Sequence, residues 1–190
     1  TNSVEEVIEF AESDSEVLVV HGPAGIGKTR LVVEASFQLQ ASHPEWTVYT
    51  ANVHADLDAG LSEIEFDEED GLILFIDDSR DADQLNRVFD IAAQRRPQVK
   101  LVFTERSIFT ASLEDRANRF SLEAAMLPLS PLDSETVTSI IQDAYGIQDP
   151  QILDWIVNVS EGKPLIAHLL AEQILSGDFT GQDPVAAEDS

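Results

Sequence analysis

The clearest chemistry in this chain lies in the run Gly22-Pro23-Ala24-Gly25-Ile26-Gly27-Lys28-Thr29. It matches the pattern G-x-x-x-x-G-K-[ST], a loop built to hold phosphate. Gly22, Gly25 and Gly27 permit backbone turns that a Cβ would forbid. The loop's amide N–H groups, that of Ile26 among them, then turn inward toward phosphate oxygens. The positive end of the following helix adds to the same field. Lys28 is expected to place its ammonium between the β- and γ-phosphates, and the Thr29 hydroxyl to ligate Mg2+.

A second group of residues has the right placement to complete such a site. Asp77 follows the apolar run Gly71 to Ile76 (GLILFI), some 50 residues after the loop. A carboxylate at that strand tip is expected to complete the Mg2+ shell through water. Asp78 is its neighbour and points differently, which suits a general base polarising the attacking water. Arg106 follows the strand LVFT, at the carboxyl end where ligands of open α/β sheets bind. It can stabilise charge at the γ-phosphate, with Thr104 bonding water or phosphate nearby. The plainer reading of Arg106 is a surface arginine paired with an acid. Arg30, just past Thr29, suits a surface or nucleotide-edge contact. The four histidines, His21, His43, His54 and His168, show no metal spacing, and His168 reads as a satisfied core residue.

The elements that must carry these residues follow from periodicity. Ser3 and Glu6 read as a capping box ahead of a helical face of Val4, Val7, Ile8 and Ala11. Residues 16–21 form a buried strand, and a helix runs from Lys28 to about Gln40. Strands are expected at 47–53, 71–76, 99–104 and, at the edge, 124–127. Runs apolar on both faces suit a parallel sheet covered by helices on each side. A helix spans 81–94, with Leu85, Val88, Phe89 and Ala92 on one face. Residues 107–120 read as a loop plus helix, and residues 55–69 leave helix and ragged insertion both open. Beyond Pro128 three helices follow: 133–145 closed by Gly146, one starting at Asp149-Pro150, and one from Pro164 to before Gly177. The division is thus an α/β nucleotide-binding domain over 1–128, a small helical lid over 129–178, and a polar tail over 179–190 expected to fray.

Composition bounds the rest. The chain has 190 residues, with 36 Asp and Glu against 11 Lys and Arg, a formal charge of −25. Its only lysines are Lys28, Lys100 and Lys163. Such a surface repels itself at low salt and is screened at about 1 M, where the Debye length is about 3 Å. Excess acid with scarce lysine resembles proteins of halophilic organisms. The same charge argues against direct nucleic-acid binding by the bulk surface. There is no cysteine, no long apolar span and no signal pattern, so the expectation is a cytoplasmic protein without membrane contact.

Taken together, HGPAGIGKTRL (residues 21–31), LILFIDD (72–78), LVFTER (101–106) and GKPL (162–165) resemble the STAND class of P-loop NTPases, which includes the NB-ARC, NACHT and MalT-like modules. The resemblance implies a five-stranded parallel sheet of order 5-1-4-3-2. It implies that Arg106 senses the γ-phosphate and that Pro164 packs near the adenine. It implies an ATP-binding and hydrolysing switch in a signalling protein of transcription or defence. ATP or ADP, with Mg2+, would control conformation and oligomerisation, and the partners would be other domains or further copies. No second arginine finger is evident, and the expected winged-helix domain does not follow within this sequence. Two other readings share parts of the pattern: a AAA+ type DNA-associated ATPase, and a nucleotide-binding interaction module without hydrolysis. The absence of arginine between Asp133 and Gly177 counts against the first. The presence of Lys28, Thr29, Asp77 and Asp78 counts against the second.

Overall fold

The computed structural model describes residues 2–52, 71–77 and 82–177. Residues 55–69, Asp78 and the tail beyond Gly177 lie outside that set. The chain divides into two compact units, residues 1–23 with 28–129, and residues 24–27 with 130–190.

In the first unit, five strands form one parallel sheet: β1 (Val17–His21), β2 (Trp46–Asn52), β3 (Gly71–Asp77), β4 (Val99–Glu105) and β5 (Ala124–Pro128). Their order is β2-β3-β4-β1-β5, which read from the far edge is the expected 5-1-4-3-2. Alternate side chains of the buried strands feed two different cores. On one face Val17, Val19, Leu72, Leu74, Leu101 and Phe103 pack against Leu85, Val88, Phe89 and Ala92 of α3 (Ala82–Gln94). Leu113 and Ala117 of α4 (Thr110–Arg119) join them. On the other face Leu18, Val20, Ile73, Phe75 and Val102 meet α1 (Asn2–Glu12) and α2 (Lys28–Ser42). Burial on both faces is why these strands read as unbroken apolar runs rather than as alternation.

Helix α1 runs from Asn2 to Glu12, so Ser3 and Glu6 both lie in its opening turns. The burial of Val4, Val7, Phe10 and Ala11 fixes this helix; a cap is worth only about 1 kcal/mol and does not decide where it starts. Near the start of β4, Lys100 is only 3% exposed. Its ammonium donates to the carbonyls of Phe10, Ser13 and Ser15, where α1 hands over to β1. Burial pushes its pKa down, partly opposed by the nearby Glu16 and Asp14 carboxylates.

The second unit packs α5 (Ser134–Tyr145), α6 (Pro150–Ser160) and α7 (Pro164–Ser176) around Val137, Ile141, Leu153, Ile156, Ala167 and Ala171. Its punctuation is local chemistry. Asp133 caps α5 by accepting from Thr136 N at 2.7 Å, and Asp149 caps α6 by accepting from Gln151 N at 2.9 Å. Gly146 and Gly177 end α5 and α7 in left-handed conformation. Gly162, φ +72°, answers to a tighter demand: a Cβ there would lie 2.3 Å from Leu132 O. His168 differs from the core role expected of it. Its side chain is 46% exposed, and its ring bonds Tyr145 Oη and faces Glu172 Oε1 at 3.5 Å.

Candidate functional site

Strand β1 delivers the chain into the glycine loop, and α2 leaves from it at Lys28. Gly25 and Gly27 have φ of +77° and +100°, the left-handed region that side chains resist. Lys28 Nζ donates to Gly22 O at 3.0 Å and to Pro23 O at 2.9 Å, reaching back across the loop. Within the helical unit, Gly25 O accepts from Leu165 N at 3.3 Å. That amide lies in the first turn of α7, one residue after Pro164, which occupies the first helical position. Ile26 is buried.

The centre of the site is the Asp77 carboxylate. Thr29 Oγ1 donates to Asp77 Oδ2 at 3.0 Å, joining the start of α2 to the tip of β3. The other oxygen, Oδ1, accepts from Thr104 Oγ1. Asp77 and Thr104 are register partners on β3 and β4, and Thr104 is buried. Both carboxylate oxygens are therefore held, one by the loop and one by the neighbouring strand. A hydroxyl and a carboxylate in contact offer two hard oxygen donors. That set fits Mg2+, which keeps several of its own waters and takes few protein ligands.

Arg106 is the first residue beyond β4. Its N–H donates to Glu105 Oε1 at 2.8 Å, and its carbonyl accepts from Phe109 N at 2.9 Å. Its side chain is exposed and makes no hydrogen bond or ion pair among the described residues. The acid partner of the plainer reading is not found there. Arg30 is different: its side chain is 80% exposed and pairs with Glu34 at 3.5 Å along α2. Three residues passed over as functional in the sequence also converge here. Glu105 is a buried carboxylate at the tip of β4, 4% exposed. Its carbonyl accepts from Gly22 N at 3.3 Å. His21 Nδ1 lies 3.3 Å from Ser107 Oγ. The only local signal for these contacts is that His21 and Ser107 flank the two motifs.

A parallel 2-3-4-1-5 sheet, with a glycine loop between β1 and α2 and a carboxylate at the tip of β3, defines a P-loop NTPase fold. The profile of the family Novel STAND NTPase 5 matches residues 1–116, and the chain belongs to that family. No curated protein matches. Among solved structures, Thermotoga maritima RuvB (P216G mutant) is 18% identical, with a TM-score of 0.67 over 92% of this chain and 61% of its own. The S. cerevisiae Hsp104:casein complex is 15% identical, with a TM-score of 0.69 over 100% of this chain and 38% of that one. A STAND protein with a tetratricopeptide repeat sensor from Pyrococcus horikoshii is 20% identical, with a TM-score of 0.55 over 88% of this chain and 29% of that one. The chain spans less than two thirds of each of these proteins, and at such identities the likeness is one of fold. No described helix is long and apolar enough to cross a membrane.

Proposed function

We propose that this domain binds Mg·ATP, hydrolyses it slowly, and acts as a regulatory switch whose ATP or ADP state controls conformation and self-association. The observation that supports this best is the carboxylate of Asp77 held between the hydroxyls of Thr29 and Thr104. A purely structural strand end has no need of two hydroxyls from distant segments on one carboxylate. The loop amides, those of Gly22, Gly25, Ile26 and Gly27 among them, and Lys28 bind the β- and γ-phosphates. Mg2+, when bound, neutralises charge on the phosphate oxygens and is held by Thr29 and Asp77. Asp78 orients the water, and Arg106 reads the γ-phosphate. Arg30, which pairs with Glu34 along α2, is a surface or nucleotide-edge contact, and Pro164 packs near the adenine as the family resemblance implies. The readout of this switch, in transcription or in defence, belongs to other domains or further copies.

Calorimetric titration with ATP, ADP and GTP in Mg2+, at molar KCl and at low salt, tests the reading. Selective binding of adenine nucleotides, stronger in salt, is the expected outcome. Equal binding of GTP would overturn the base assignment. No binding in either buffer would overturn the claim that this domain is a nucleotide switch by itself.

A further inference from the structure

We propose that Glu105, Ser107 and His21 form a brace that positions Arg106 and thereby sets how strongly the domain prefers ATP to ADP. The proposal rests on the reading of Arg106 as the γ-phosphate sensor.

The geometry has three parts, all within the sheet unit. First, the main chain of Arg106 is bound on both sides, N–H to the Glu105 carboxylate at 2.8 Å and C=O to Phe109 N at 2.9 Å. Its backbone is extended, with φ −77° and ψ 145°, and leads into a single turn of 3-10 helix (Ser107–Phe109). Second, Glu105 is 4% exposed, whereas the acids among the described residues are mostly on the surface. A buried carboxylate is costly unless it is bonded, and one of its bonds is to the Arg106 amide. The same residue's carbonyl holds Gly22 N, and its register partner on β1 is His21. Third, the His21 ring reaches Ser107 Oγ at 3.3 Å. The residues on both sides of Arg106 are therefore tied to the end of β1, which leads directly into the phosphate loop.

The physical consequence is selective. An arginine on a wandering turn loses conformational freedom when it engages a phosphate, and that loss weakens binding. Fixing its backbone beforehand removes part of the loss. ATP, which carries the γ-phosphate, gains from this; ADP does not. A brace that only maintained the fold would affect both nucleotides alike.

The test measures affinities for ADP and for a non-hydrolysable ATP analogue, with Mg2+, in a set of variants. Arg106→Ala should lower the ATP-to-ADP preference by about tenfold, the size of one charge-assisted hydrogen bond. Ser107→Ala and Glu105→Ala should each lower it by about threefold with ADP affinity unchanged. Glu105→Gln keeps an acceptor oxygen for the Arg106 amide and should restore most of the preference. Adding Ser107→Ala to Arg106→Ala should change nothing further, since coupled residues are non-additive. Should Glu105→Ala fail to fold, Ser107→Ala alone and in the double variant still decides. The brace is wrong if Ser107→Ala keeps the full preference, weakens both nucleotides equally, or adds to Arg106→Ala. If Arg106→Ala itself leaves the preference intact, the sensor reading fails and the brace fails with it. A loss with Arg106→Ala but none with Ser107→Ala overturns the brace alone.

Discussion

Asp77 has a hydroxyl on each of its oxygens, and the two hydroxyls have different consequences. Thr29 is a prospective metal ligand, so replacing it removes a donor outright. Thr104 touches the carboxylate from the strand side and acts by orienting it. Thr104→Val keeps the shape and removes the bond, and loss of such an outer partner typically costs about 10- to 100-fold in metal affinity. The expected result is a rise of that order in the Mg2+ needed for half-maximal ATP binding, with metal-free ATP binding little changed. The proposed division of roles at the phosphates gives a second prediction. Lys28→Ala should abolish tight Mg·ATP binding, by about 100-fold or more because it loses charge-assisted contacts to two phosphates, whereas Asp78→Asn should bind ATP yet not turn it over. Single-turnover measurements separate the two. Full turnover in Asp78→Asn would place the base elsewhere.

At the scale of elements, Gly162 is set by packing as well as by helix termination. With φ +72° and Leu132 O only 2.3 Å from an added Cβ, Gly162→Ala forces the junction of α6 and α7 apart. A loss of about 2 kcal/mol or more is expected, read as a lower denaturation midpoint of the helical unit. Lys100 supplies the matching case in the sheet unit. Lys100→Met takes a charged donor from the carbonyls of Phe10, Ser13 and Ser15, of which Phe10 O still accepts from Ser13, and should cost about 2 kcal/mol. Its pKa is lowered in the folded state, so the unfolded chain binds more protons between that value and the ordinary 10.5. Stability should therefore rise with pH across that window, and Lys100→Met should remove that part of the slope. Equilibrium unfolding of both proteins at stepped pH checks it.

These elements also show what was legible. Asp133, Gly146, Asp149-Pro150 and Gly177 announced the helix ends because caps and stops are local chemistry. The apolar runs of β1, β3 and β4 announced strands buried on both faces. Strand order was not legible from periodicity; it came through resemblance of motifs. For the same reason the contacts across β1, β3 and β4 were hidden. His21 and Ser107 are 86 residues apart, and nothing in either's neighbourhood specifies that β1 lies beside β4. His168 misled because an apolar helix suggested a core position, while its own turn faces Tyr145 and Glu172.

At the scale of the whole molecule, charge dominates. Beyond Arg119 the only lysine or arginine is Lys163, so the C-terminal third has little internal means of offsetting its acids. Raising KCl from low millimolar to about 1 M screens that repulsion and should raise the thermal midpoint by several degrees, by roughly 4 °C for each kcal/mol gained. A midpoint that does not move with KCl would remove the case for salt adaptation. The same composition leaves very few primary amines. Lys100 is buried and Lys163 is engaged with Glu161 at 2.6 Å. Lys28 holds the loop carbonyls at the proposed phosphate site. An acylating reagent thus meets few lysine targets, and one of them is the residue a triphosphate would cover. Mass-spectrometric footprinting of Lys28, with the other amines as internal standards, becomes a direct occupancy gauge for a domain whose turnover is expected to be too slow for a convenient assay.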